Sequence, residues 1–348
     1  MTEQTLKKLS RPLILLATII WGSSFVVLKN TLDTLPVFSI LAFRFLAAAV
    51  LLALIFRKHL RGLDRGYLIR GLVLGLLLVC AYTAQTYGLY ETSPGKNAFL
   101  TAAYCVIVPF LNWFISRAKP DKYNIAAALL CVGGIGLVSL SSDRSMNSGD
   151  ALTLLSSFLY AAHIIAVSRF SKGRDIFLLT ILQFAVSGTA ALACSFIFGA
   201  PTAAIPPQSI ISLLYLTTFA TAGALLFQNV GQKYTEPAAA SVLLSLEAPF
   251  GVLFSMLFYS ERPTARMLIG FALIFVAVLC SETKLSFLRK KELTEGPAPT
   301  IMQYNNKTND EEKYPARPMQ REPWMVGSGS EAAGEWTSEG GSNGEISQ

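Results

Sequence analysis

The sequence predicts an all-α polytopic membrane protein, with ten transmembrane helices arranged as two inverted five-helix repeats. Three observations predict it. Apolar runs long enough to cross a bilayer follow one another along most of the chain. Basic residues gather in alternate connections between those runs, and a ten-residue motif recurs at a fixed spacing.

Composition sets the class. Of 348 residues, 52% are hydrophobic and 15% charged, where a soluble domain carries about a quarter charged. The mean hydropathy is +0.47. An apolar run of roughly 20 residues spans a bilayer, and the candidate spans are 12–29, 36–56, 71–90, 97–116, 123–140, 150–168, 176–198, 208–229, 237–259 and 265–282. They are helices, because inside hydrocarbon every backbone polar group needs an internal partner. The alternating pattern of a barrel strand is absent. The first run follows Lys7, Lys8 and Arg11 as a signal peptide would, but no small-x-small cleavage site comes after it. It reads as an uncleaved first span behind a short N-terminal segment, 1–11.

Charge fixes the orientation. With the N-terminus cytoplasmic, the inside segments hold 19 Lys and Arg, and the outside loops hold five: Lys29, Lys96, Arg144, Arg262 and Arg266. That split follows the positive-inside rule and places both termini in the cytoplasm of a cell with the protein in its inner or plasma membrane. The net charge of +7 is no nucleic-acid footprint. The chain through Lys291 carries +13 beside its spans, and the remainder carries −6. Residues 283–348, rich in Gly, Ser and Glu, bury too little apolar surface to fold and read as a disordered cytoplasmic tail. The five cysteines lie inside apolar runs without CxxC spacing, so neither a metal site nor a disulfide framework is indicated, and no cofactor motif is present.

The repeat sets the architecture. QTYGLYETSP (residues 85–94) matches QNVGQKYTEP (residues 228–237) at a shift of 143, which pairs Gln85 with Gln228 and Gly88 with Gly231. The first two spans of each half align near a shift of 139, with Phe45 on Phe184 and Arg44 on Gln183. The halves are 12–140 and 150–282. Five spans is an odd number, so the second half enters the membrane from the opposite face. Carriers built this way hold substrate near the midplane where the halves meet.

WGSSFVVLKNTLDTLPVFSILAFRF (21–45) and TSPGKNAFLTAAYCVIVPF (92–110) resemble the first half of EamA-type transporters of the drug/metabolite transporter superfamily. LLSLEAPFGVLFSMLFYSE (243–261) resembles the matching part of the second half. The resemblance covers about 12–282. It implies a central cavity among spans 1–4 and 6–9, with spans 5 and 10 peripheral, and export or uptake of a metabolite. Where the family commonly has Glu-Pro in the ninth span, this chain has Glu247-Ala248-Pro249.

Ionisable groups inside a membrane cost ~2.5–3.5 kcal/mol on insertion scales and mark function by default. Glu247 lies near the middle of span 9, two residues before Pro249, and suits a cationic group or a proton. Arg44 suits a substrate carboxylate, or else pairs with Glu247. His163 suits a proton relay, or else a hydrogen bond between helices. Gln85, Gln183, Gln228, Asn229, Asn97 and Asn112 offer hydrogen bonds to substrate or neighbouring helices, while Trp21, Tyr82, Tyr104 and Tyr160 can wall a cavity. Pro109 and Pro249 are expected to kink their helices. The pairs Gly71/Gly75 and Gly133/Gly134 with Gly136 allow close helix approach.

Together these features predict a secondary carrier that moves a small polar or amphipathic, amino acid-like metabolite by alternating access, with protons as a coupling partner. A lipid-intermediate flippase and a non-transporting sensor acting through the tail are the alternatives. No nucleotide-binding loop and no HExxH or G-x-S-x-G motif occurs, which speaks against ATP drive and against an enzyme.

Overall fold

The computed structural model describes residues 3–117, 119–139, 147–198, 205–259 and 264–283, and all their regular elements are helical. The helices are α1 (Glu3–Leu32), α2 (Val37–Ile55), α3 (Arg65–Glu91), α4 (Pro94–Thr101), α5 (Tyr104–Ser116), α6 (Lys122–Ser139) and α7 (Ser148–Phe170). They continue with α8 (Ile176–Phe198), α9 (Pro207–Tyr215), a π-helical turn (Leu216–Gly223), α10 (Ala224–Lys233), α11 (Pro237–Leu244), α12 (Glu247–Tyr259) and α13 (Ala265–Thr283). The expected tail and the loop residues Arg144 and Arg262 lie outside the described residues.

Local chemistry places the helix starts. The Asp64 carboxylate accepts from the Tyr67 backbone N–H at 2.8 Å and caps α3. Ser93 caps α4 ahead of Pro94, and Asn147 forms a reciprocal box with Asp150 at α7; such caps satisfy N–H groups that have no partner within the helix. Two helices start earlier than hydropathy indicates. α1 begins at Glu3 and carries Pro12 on an exposed face with Lys7, Lys8 and Arg11, and α3 begins at Arg65. A helix continues as long as its backbone can pair, which is indifferent to where the apolar stretch begins.

Among the described residues, eight helical units are long and apolar enough to cross a membrane: α1, α2, α3, the α4–α5 pair, α7, α8, the α9–α10 stretch and the α11–α12 pair. α6 and α13 stand at the expected fifth and tenth spans and pack along each other. Polarity is distributed inside out relative to a soluble protein. Phe114, Phe198, Ile211 and Phe258 face outward, whereas Arg44, Glu247, His163, Gln183 and Asn97 are buried. A bilayer solvates the first set and leaves the second to satisfy itself internally.

The packing repeats between halves. α3 lies against α7 as α10 lies against α1, while α2 pairs with α8 and α6 with α13. Gly88 and Gly231 show the correspondence atom by atom. A Cβ on Gly231 would lie 2.6 Å from the Ser10 carbonyl oxygen and 2.5 Å from Ile14. A Cβ on Gly88 would lie 2.8 Å from the Gly149 carbonyl oxygen and against Thr153. Ser10 and Ile14 become Gly149 and Thr153 at the shift of 139. Close approach at Gly71 and Gly75 brings α3 onto Leu182 and Val186 of α8, and Gly134 brings α6 onto the Gly270 carbonyl of α13. Gly136 has nothing near it, so only part of that glycine cluster serves packing.

Ionic contacts close the two ends of the bundle. At the basic end, Arg174 pairs with Asp64 at 2.8 Å, His59 contacts Asp175, and Lys233 Nζ donates to the Arg174 carbonyl at 3.0 Å. The Tyr67 backbone N–H, with Arg174 beside it, holds the Asp64 carboxyl below its ordinary value, and Asp64 in turn raises Arg174. At the far end, Lys29 Nζ donates to the carbonyls of Leu89, Tyr90 and Thr92 at 2.8, 2.9 and 3.0 Å. Lys96 pairs there with buried Asp150 at 2.6 Å.

Candidate functional site

The expected middle of spans 4 and 9 is where their helices break. After Thr101 and after Leu244 the backbone tightens into i→i+3 bonds, Ala103 N to Leu100 O at 3.2 Å and Leu246 N to Leu243 O at 3.2 Å. α5 then restarts at Tyr104 and α12 at Glu247. These two residues are separated by the repeat shift, and the Tyr104 hydroxyl donates to Glu247 Oε1 at 2.9 Å. Pro249 sits in the first turn of α12, and its ring accounts for the break through the Ser245 carbonyl, which bonds Ala248 N instead. Pro109 is different. It lies inside continuous α5, beyond the break at Ala102 and Ala103, so the expected kink at this proline is displaced toward the helix start.

Around this bond lies a cavity with ≈ 550 Å³ of empty space, open solvent included. The walls bring together Trp21, Arg44, Tyr82, Gln85, Tyr104, Tyr160, His163, Gln228 and Glu247, all of them expected site residues. Symmetry orders the lining. Trp21 lines it with its repeat mate Tyr160, Ser24 with His163, Phe25 with Ile164, and Tyr82 with Leu225. Gln85 and Gln228, Thr101 and Leu244, and the bonded Tyr104 and Glu247 are further pairs of mates in the lining. The cavity is thus lined by matching positions of both halves, and in most pairs the chemistry has diverged.

Each polar group is held from a different helix. Arg44 is 1% exposed; its Nε donates to Thr221 Oγ1 at 2.8 Å, and its guanidinium lies 4.9 Å from the centre of the Tyr82 ring. Thr221 is available because the π turn brings it one residue further round, and its own hydroxyl donates to the Leu216 carbonyl at 2.7 Å, five residues back. π turns of this kind recur at functional sites. The Trp21 indole donates to the Ala220 carbonyl of the same turn at 2.9 Å. Tyr160 OH donates to Gln85 Oε1 at 2.8 Å, and Gln85 Nε2 donates to Thr101 Oγ1 at 3.1 Å. Among the described residues no ion pair joins Arg44 to Glu247, although both line the cavity.

Three expected residues stand behind the wall. Asn97 donates to the Gln85 carbonyl at 3.2 Å and to Thr153 Oγ1 at 2.8 Å. Gln183 Oε1 bonds His163 Nε2 at 3.0 Å, and Asn229 donates to Thr180 Oγ1 at 3.0 Å. Asn112 bonds Ser116 near the end of α5. Sequence reasoning missed Ser24, Thr101 and Thr221. The first two are repeat mates of lining residues, a signal that was present. Thr221 had none, because a π turn has no sequence signature.

A helical bundle with an apolar skin and a buried polar cavity is the build of a membrane transporter. The chain belongs to the EamA-like transporter family, whose model matches twice, over residues 10–140 and 147–283. It is similar to an uncharacterized transporter of Archaeoglobus fulgidus, 33% identical over 76% of this chain and 82% of that protein. It is also similar to the uncharacterized transporter YoaV of Bacillus subtilis, 24% identical over 80% and 97%, and to a WAT1-related chloroplastic protein of Arabidopsis thaliana, 25% identical over 74% and 66%. A solved crystal structure superposes with a TM-score of 0.65 at 15% identity, covering 81% of this chain and all but 1% of its own, a likeness of fold alone.

Proposed function

We propose that the protein is a secondary carrier for a small amphipathic metabolite bearing both an acid and an amine, working by alternating access in the inner or plasma membrane with both termini cytoplasmic. The two halves act as inverted repeats that include α6 and α13 as peripheral spans. The observation carrying this reading is the cavity lined by repeat mates, with one guanidinium and one carboxylate held apart. A site on the axis between two similar halves changes the side it faces when one half rocks against the other. A buried charge without a direct counter-charge is costly, and a zwitterion bridging Arg44 and Glu247 supplies both counter-charges at once. The aromatic walls of Trp21, Tyr82 and Tyr160 accept its apolar part. Glu247 takes a proton when the amine leaves, which couples flux to a proton gradient. The half-helices flanking Tyr104 and Glu247 part to admit substrate.

Metabolite profiling of cells with and without the protein identifies the cargo. Glu247→Gln and Arg44→Gln each then lower its uptake or efflux at least tenfold while membrane insertion stays normal, since one lost charge-assisted bond is worth about 1.5–3 kcal/mol. Unchanged transport in both variants would remove the charged pair from the mechanism.

A further inference from the structure

Among the repeat mates that line the cavity, Gln85 and Gln228 have kept the same side chain while every other pair has changed. Their surroundings have not stayed alike. The Gln85 amide is committed to the protein at both atoms: Tyr160 OH donates to its Oε1 at 2.8 Å, and its Nε2 donates to Thr101 Oγ1 at 3.1 Å. The mates of those two partners are Trp21 and Leu244. Leu244 has no polar side-chain atom, and the single N–H of the Trp21 indole goes to the Ala220 carbonyl at 2.9 Å. Both contacts that hold the Gln85 amide are therefore missing around Gln228.

The structure bears this out atom by atom. Gln228 is 4% exposed, and among the described residues no hydrogen bond reaches its side chain. Neither of its amide atoms is shut inside the packing, and the space beside Gln228 is the cavity it lines. An amide at membrane depth is costly unless something pairs with it. One that stands free in a cavity wall can take that pairing from the cargo.

We infer that Gln228 is a specificity-determining residue, an assignment that rests on the zwitterion reading of the site. Its amide selects cargo that carries, besides the acid and the amine, a neutral group able both to donate and to accept a hydrogen bond, such as a hydroxyl or a carboxamide. The amide itself dictates that partner. Nε2 donates and Oε1 accepts, so a group that only donates or only accepts satisfies half of it, and a hydrocarbon satisfies none. Arg44 and Glu247 serve the charged ends of the cargo, while Trp21, Phe25 and Leu225 offer its remainder an apolar wall. A polar group that meets Gln228 replaces the water it displaces. An apolar analogue of the same size leaves the amide dry and unpaired, and that penalty is the source of discrimination.

Amino acids that differ in one neutral polar group supply the probes: threonine against valine, glutamine against methionine, and tyrosine against phenylalanine. Each is titrated against the purified protein in detergent, and its Kd is read from the rise in melting temperature. In at least one pair the polar member binds wild type about tenfold or more tighter than its apolar partner. The pair that shows the preference tells hydroxyl from carboxamide. Gln228→Met and Gln228→Leu, which keep the bulk and remove the amide, bring that ratio below about twofold. The ratio compares two ligands on one protein, so a general loss of affinity cancels out of it, and size-exclusion profiles confirm that each variant is folded. A panel in which no amino acid binds wild type overturns the zwitterion reading and the role of Gln228 with it. Binding without a polar preference in any pair, or a preference that survives in either variant, overturns the role of Gln228 alone.

Discussion

Replacing Gly231 by alanine tests the repeat at the level of atoms. The added Cβ would meet the Ser10 carbonyl oxygen at 2.6 Å, whereas ordinary contact begins at 3.4 Å. α1 and α10 must therefore separate by about 0.8 Å, and a backbone carbonyl cannot swing aside as a side chain can. Overpacking of this kind costs about 1–3 kcal/mol, against which alanine recovers at most about 1 kcal/mol of helix propensity. Gly88→Ala meets the mate of the same carbonyl, that of Gly149, at 2.8 Å and should behave alike. Gly133→Ala and Gly136→Ala, with at most one neighbour at 3.8 Å, gain the propensity term alone. At roughly 2–4 °C per kcal/mol, the first pair should melt several degrees below wild type in detergent and the second pair slightly above. Equal melting of all four variants, or opposite shifts for Gly88 and Gly231, would refute the matched packing.

Thr221→Val, nearly isosteric, removes the partner of Arg44 Nε and should reduce transport about tenfold or more without loss of membrane insertion, measured as cargo flux per inserted protein. Tyr104→Phe should likewise impair transport by releasing Glu247, and full activity would show that the bond between the broken helices is dispensable. Asp64→Ala reports on the basic end. Because Asp64 is held below its ordinary pKa in the folded protein, its contribution is present above the unfolded value of ~3.9 and is lost as pH falls through the lower folded value. The melting gap to wild type should be full at pH 7 and narrow as pH falls below ~3.9. A single cysteine at Lys96 in a cysteine-free background should react with an impermeant thiol reagent from outside, and one at Arg61 or Lys172 should not; reversed labelling would invert the orientation.

Most of the fold was legible because membranes impose simple rules. Hydrocarbon forces helices, runs of about twenty apolar residues give their rough extent, and a shift of 143 carried Gln85 onto Gln228. The same rules located Arg44, His163 and Glu247, since an ionisable group in lipid is expensive enough to stand out. They could not say what each group touches. The sequence allowed Arg44 to meet Glu247, and instead it meets Thr221, through a π turn that depends on how α2 and α10 pack. Asn97, Gln183 and Asn229 looked like Gln85 and Gln228 on paper, yet they stand behind the cavity wall.

The sequence alone settled that this chain lives in a membrane, where its helices run, and that its two halves share an origin, because those follow from hydropathy and local repetition along the chain. Which mates line the cavity, where spans 4 and 9 break, and which polar atoms remain unpaired were decided only when the helices packed. Packing sets the rotation of each helix about its own axis, and a difference of one residue, about 100°, turns a cavity wall into a buried support.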